Sequence, residues 1–316
     1  MNDRAFRLQV LNELKKEAKI YDDVAASFKS KGFEQKNEPK FGGAIRIPGA
    51  LPGVAVMCPN NPIINGKYNV MFQVRSGHSP AKAGINAIIV TAEAGGMASS
   101  QNTKAYGNRA WINKQLGMIY SVLSKHFGKG ISIGKLGISS FSGGFGAVSR
   151  VLSEKNAIKD PGTGIAKDFD AAINLDGLHA GKRGNPSDIG MKPWLEFAEK
   201  AKKDPSKKFT YLYTAVDPTN YASTSDTARY LLDKLKIENK KTTDEDTTTY
   251  AGVKPAGIAR EGGFTAIELF ERKSDKPGYG YRHENDNRPG TMGYQHILAS
   301  RALPEIWNES LKDWNG

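Results

Sequence analysis

Apolar and polar positions alternate in two rhythms along the first third of the chain. Between residues 4 and 28, Leu11, Leu14, Ala18 and Tyr21 recur at helical spacing, with Lys15, Lys16 and Lys19 on other faces. That pattern predicts a leading amphipathic helix. A polar linker, KSKGFEQKNEPK, separates it from three strand-like runs, GGAIRIPG, GVAVMCP and YNVMFQVRS, punctuated by Pro-Gly and Asn-Gly dipeptides. The runs read as an antiparallel entry into a sheet. The expected organisation is an arm over residues 1–40 and one domain over residues 41–316.

From residue 85 the rhythm changes to strand followed by helix. NAIIVTAE (86–93) is a continuous apolar run, as expected of a strand covered on both faces. A long helix over 108–127 carries Trp111, Gln115, Met118 and Val122 down one side. Strand ISIGKLGIS follows, then a helix with Phe145, Val148, Val151 and Leu152. AAINLD (171–176), FTYLYTAV (209–216) and FTAIELFER (264–272) read as further strands. Helices are expected at 191–203, after residue 223, and over HILASRALPEIW (296–307). Alternation of this kind predicts an α/β fold, a mostly parallel sheet with antiparallel N-terminal strands and helices on both faces. Two polar stretches, 238–262 and 273–295, read as loop insertions; loops this long often border a functional site.

Composition and charge narrow the picture. No apolar run approaches the ~20 residues of a membrane-spanning helix. The N-terminal residues show no apolar signal-peptide core, so the expected location is the cytoplasm. A single cysteine, Cys58, makes an internal disulfide impossible. The net charge of +12 is uneven: residues 51–150 hold ten Lys/Arg and one acid, Glu93. A field of that sign draws in anionic substrates, surfaces or polymers. No basic run is interleaved with aromatics, which argues against nucleic acid as a partner.

The stretch GISSFSGGFGAV (137–148) allows three readings: a linker, a phosphate-cradling loop, or a sharp turn presenting one serine. Strand and helix patterns on both sides argue against a linker. A phosphate loop would end in Gly-Lys-Ser/Thr, which is absent. As strand–turn–helix, the stretch has Ser142 at its apex and small residues two positions away on either side, Ser140 and Gly144. Here the sequence resembles the α/β-hydrolase superfamily, whose nucleophile elbow is written G-x-S-x-G. Ser140 stands where the family has its first glycine. LDGLHAG and YAST also resemble a bacterial branch of that superfamily.

The resemblance implies a Ser-His-acid triad in the chain order Ser, acid, His. Ser142 is then the nucleophile and the Gly143 N–H half of an oxyanion hole. By position the second donor is Gly77 or His78. Among five histidines, His283 and His296 follow the last strand; His296, at the mouth of the final helix, is the expected base. Two strand-end carboxylates compete for the acid, Asp176 and Asp217, with Asp176 preferred because it ends a buried apolar strand. No metal-ligand pattern stands out, HENDN (283–287) included, and no cofactor is implied. The expected activity is hydrolysis of a carboxylic ester, on a small molecule or borne on a polymer, through an acyl-enzyme. The alternatives are a hydrolase-fold protein that only binds, with its N-terminal helix docking a protein partner, and an amidase or cell-envelope depolymerase with the same triad.

Overall fold

The apolar runs in the middle of the chain become the interior strands of one large sheet. The computed structural model describes residues 45–46, 54–57, 59, 62–75, 83–93, 99–216, 218, 220–243, 245–270 and 292–315. The strands in chain order are β1 (Ile45–Arg46), β2 (Val54–Met57), β3 (Lys67–Val74), β4 (Ile88–Ala92) and β5 (Ser132–Phe141). After two short strands, β6 (Ile158–Lys159) and β7 (Ala166–Lys167), come β8 (Ala171–Leu175), β9 (Gly181–Lys182), β10 (Asn185–Pro186) and β11 (Lys208–Tyr213). The last three are β12 (Lys240–Lys241), β13 (Gly257–Glu261) and β14 (Phe264–Glu268). The pairs β6-β7 and β9-β10 stand apart as small hairpins. The other ten strands pair in the order β1-β2-β4-β3-β5-β8-β11-β14-β13-β12.

From β4 to β14 every neighbouring pair is parallel. β2 runs antiparallel to β4 and β1 antiparallel to β2. β4 and β8 are buried along their whole length, which explains their unbroken apolar sequences. Two expectations are corrected here. The run YNVMFQVRS is not part of an antiparallel entry: its strand, β3, lies parallel between β4 and β5. The stretch 238–262 is not all loop, because β13 folds back antiparallel on β14 and β12 pairs on its outer side. β13 alternates little and carries Arg260 and Glu261 on its exposed end, so its composition hid it.

Helices α1 (Ser99–Tyr106), α2 (Arg109–Phe127), α3 (Phe145–Ser153), α4 (Asp188–Lys203) and α5 (Thr224–Leu235) are followed by α6 (Met292–Arg301) and α7 (Leu303–Ser310). Apolar residues of α2, α3, α4 and α5 share one core with Val70, Phe72, Val90 and Ile138 of the sheet. α6 and α7 cover the other face, where Leu298, Ile306 and Trp307 meet Met71, Ile173 and Leu212. On α2 the buried stripe is Ile112, Leu116, Ile119 and Leu123 with Trp111, Gln115 and Val122; Met118, expected on it, is half-buried. The closing helix expected over 296–307 is two helices. Pro304, with no N–H to give, sits in the first turn of α7, where none is needed. Among the described residues no helix is long and apolar enough to cross a membrane. The leading helix read over residues 4–28 and the loop 273–295 lie outside the described residues, the latter apart from residues 292–295, which begin α6.

Candidate active site

β5 passes directly into a 3₁₀ turn, Ser142–Gly144, and then α3. Ser142 sits at the apex with φ +49°. A side chain there is uncommon, because the left-handed region costs a non-glycine residue about 1–2 kcal/mol. Both neighbouring glycines make room. A Cβ on Gly144 would lie 2.4 Å from the Val74 carbonyl oxygen, and one on Gly177 would lie 2.3 Å from that of Ser142. Gly143 is in the first turn, where backbone N–H groups lack an acceptor within the helix.

Ser140 does more than stay small. It is fully buried, and its Oγ accepts a 2.9 Å hydrogen bond from Asn174 Nδ2, its register partner on β8. Asn174 Oδ1 accepts in turn from the Gly177 N–H at 3.1 Å. One amide thus fixes the loop after β8 against the turn that presents Ser142.

Asp176 follows β8 as Ser142 follows β5. Phe141 and Leu175 are register partners, so the two residues leave adjacent strands side by side. Asp176 is 1% exposed and also left-handed, at φ +42°. Its Oδ1 accepts from Thr214 Oγ1 at 2.9 Å and from Thr224 Oγ1 at 2.7 Å. Thr214 comes just after β11, and Thr224 opens α5 behind its N-cap Ser223. A buried carboxylate needs such donors, since burial without them costs several kcal/mol.

The third strand in this row is β3, and it too ends left-handed, at Arg75 with φ +59°. The Arg75 N–H donates to the Ala92 carbonyl at 2.7 Å, and Gln73 Nε2 donates to the Arg75 carbonyl at 3.1 Å. Its guanidinium Nη1 donates to Ser142 Oγ at 2.9 Å, and its Cζ lies 5.9 Å from the Phe141 ring centre. Three neighbouring parallel strands, β3, β5 and β8, therefore each release a non-glycine residue in the left-handed region at their C-terminal ends. In open α/β sheets ligands bind at that edge.

Ser142, Gly143 and Asp176 meet at this edge. His296 is placed by its backbone alone, one turn inside α6, because the helix starts at Met292 rather than at the histidine. Asp217, Gly77, His78 and His283 lie outside the described residues. His179, two residues beyond Gly177, packs edge-on against Phe145 and Tyr221, with Nδ1 3.0 Å from the Ala222 carbonyl oxygen. Arg75, Asn174, Thr214 and Thr224 were not anticipated. A lone arginine ending an apolar strand is the only signal the sequence held for Arg75.

Without the hairpins and the edge pair β12-β13, the strand order is 1-2-4-3-5-6-7-8 with the second strand alone antiparallel. That order, with a serine elbow after the fifth strand, defines the α/β-hydrolase fold. No protein-family model and no curated protein matches the chain. Among solved structures it is similar to the thermophilic esterase Est2 of Thermogutta terrifontis with butyrate bound, at 14% identity over 85% of this chain and 96% of that one, TM-score 0.38. It is also similar to an S-formylglutathione hydrolase of Agrobacterium tumefaciens, at 10% identity over 83% and 90% of the two chains, TM-score 0.39. A truncated carbohydrate esterase from gut microbiota matches at 10% identity over 83% and 91%, TM-score 0.36. These likenesses are distant, and the fold assignment rests on the strand order.

Proposed function

We propose that the chain is a serine hydrolase that cleaves carboxylic esters through a covalent acyl-enzyme, with Ser142 as nucleophile, His296 as base and Asp176 as the acid. The observation that carries the reading is the pair of left-handed, strand-ending residues Ser142 and Asp176 on adjacent parallel strands. Strain of this kind persists where surrounding structure over-determines it, and it concentrates at functional sites. The elbow sets the Ser142 hydroxyl clear of its own strand, and the Gly143 N–H is poised for the oxyanion. His296 takes the hydroxyl proton as Oγ attacks the ester carbon, then returns it to the departing alcohol. Asp176, buried and held by two threonine hydroxyls, orients the imidazole and balances its positive charge. Water then cleaves the acyl-enzyme by the same route. Between the two candidate acids, the burial and hydrogen bonding of Asp176 support it over Asp217.

The positive segment 51–150 supports an acyl donor, or a surface bearing it, that is anionic. The test is turnover of a series of p-nitrophenyl esters from acetate to octanoate by the wild type and by Ser142→Ala. Hydrolysis by the wild type and loss of at least about 10³-fold in the variant is the expected result. Equal rates for the two proteins would refute the reading, and release of amine from matched anilides at comparable rates would replace ester by amide.

A further inference from the structure

We propose that the Arg75 guanidinium is a catalytic donor to the developing oxyanion, a charged member of the oxyanion hole beside the Gly143 N–H; this rests on Ser142 being the nucleophile. Three observations support it. Nη1 of Arg75 is 2.9 Å from Ser142 Oγ, so the charge is within hydrogen-bond reach of a reacting atom. Oγ accepts that bond, leaving its own proton to be donated to a base. Arg75 also occupies the strand end after β3, opposite the elbow: a Cβ on Gly144 would meet Val74 O at 2.4 Å and Arg75 Cβ at 3.2 Å.

The side chain is held in place from several directions. Its backbone is fixed by Ala92 and Gln73 and strained at φ +59°. The guanidinium flanks the Phe141 ring and interacts with the Glu93 carboxyl. Burial raises the pKa of that carboxyl and the Arg75 charge opposes the rise; the carboxyl is crowded by protein although the residue keeps an exposed surface. Arginine stays charged at any working pH and presents five N–H donors in a planar fork. When Oγ bonds to the ester carbon, the carbonyl π pair moves onto oxygen, two bonds away from the Oγ that Arg75 already touches. The guanidinium donates to that oxygen without giving up a proton. When the carbonyl re-forms, the alkoxide leaves with the proton carried by the base. A donor aimed at the charge that develops, in a partly buried site, favours the transition state over the bound ester.

The experiment compares the wild type with Arg75→Gln and Arg75→Lys on a neutral ester, p-nitrophenyl butyrate, and on a succinate hemiester. Inhibition by an alkylboronic acid, which adds to the serine hydroxyl as a tetrahedral anion, is measured alongside. Arg75→Gln is expected to lose about 10²–10³-fold in kcat on both esters, with KM changed only a few-fold. Boronate affinity is expected to fall in parallel, and Arg75→Lys to recover part of both losses. A merely structural role would not couple kcat to boronate affinity. Unchanged or faster turnover in Arg75→Gln would overturn the proposal. So would a loss confined to KM for the hemiester, which would make Arg75 a reader of substrate carboxylate. If Arg75→Gln does not fold, Arg75→Lys decides: wild-type kcat and boronate affinity would overturn the proposal, and a parallel loss in both would support it. A wild type that turns over no ester removes the Ser142 reading and this proposal together, whereas an active wild type with an unimpaired Arg75→Gln removes only the latter.

Discussion

At the residue scale, the carboxylate of Asp176 is sealed from solvent and held at one oxygen by Thr214 and Thr224. Replacing Thr224 by valine leaves that charge one donor short, which is expected to cost about 1–3 kcal/mol in urea denaturation. Asp176→Asn keeps the shape and removes the charge. Its kcat is expected to fall by about 10²–10⁴-fold with folding retained, and full activity would transfer the role to Asp217. Gly177→Ala is a test of the turn itself. The added methyl would sit 2.3 Å from the Ser142 carbonyl oxygen and 2.6 Å from its nitrogen, so the elbow must shift. Esterase activity should drop by at least about 10-fold, since misplacements of this size are costly to catalysis. The tight turn at Ser142 was legible in the sequence because small residues at fixed offsets record its steric demand. Arg75 and the threonines were not, because what joins them to the site is strand register, which a single chain pattern does not carry.

At the element scale, strands buried on both faces announce themselves by apolar continuity, and β4, β5, β8 and β11 were all anticipated close to their bounds. Strands near the rim of the sheet do not: β13, next to the edge strand β12, has one exposed end and no alternation strong enough to separate it from the polar stretch around it. The helix break at Ala302 was masked by continuing apolar spacing, with Pro304 as its only mark. The start of α5 shows how an element is fixed locally. Ser223 and Asp226 form a reciprocal capping box, which also seats Thr224 beneath Asp176. Burial works against the Asp226 charge, but hydrogen bonds from Ser223, Gly184 and Arg229 outweigh it and lower its pKa below the ordinary value. A lowered carboxylate contributes stability above its unfolded pKa and loses it as pH falls through the folded one. Asp226→Asn should therefore be less stable than the wild type by about 1 kcal/mol at neutral pH. The gap should close at pH values below the usual carboxylate range. A gap that persists undiminished in strong acid would assign it to packing instead.

At the scale of the whole molecule, charge and topology coincide. Residues 51–150, with ten cations and one acid, build β2 to β5 and α1 to α3, which is the half of the sheet that ends at Arg75 and Ser142. An anionic ester should be drawn to that edge, and its kcat/KM should fall several-fold between about 20 and 300 mM salt while a neutral ester changes little. Equal salt dependence for the two would remove the steering. The role proposed for Ser142 is that of an activated nucleophile. Intact-mass measurement after exposure to a fluorophosphonate probe, followed by peptide mapping, reads that reactivity. One adduct per chain on Ser142, absent from Ser142→Ala, is the predicted result. An unlabelled wild type, or an adduct on any other residue, would contradict it.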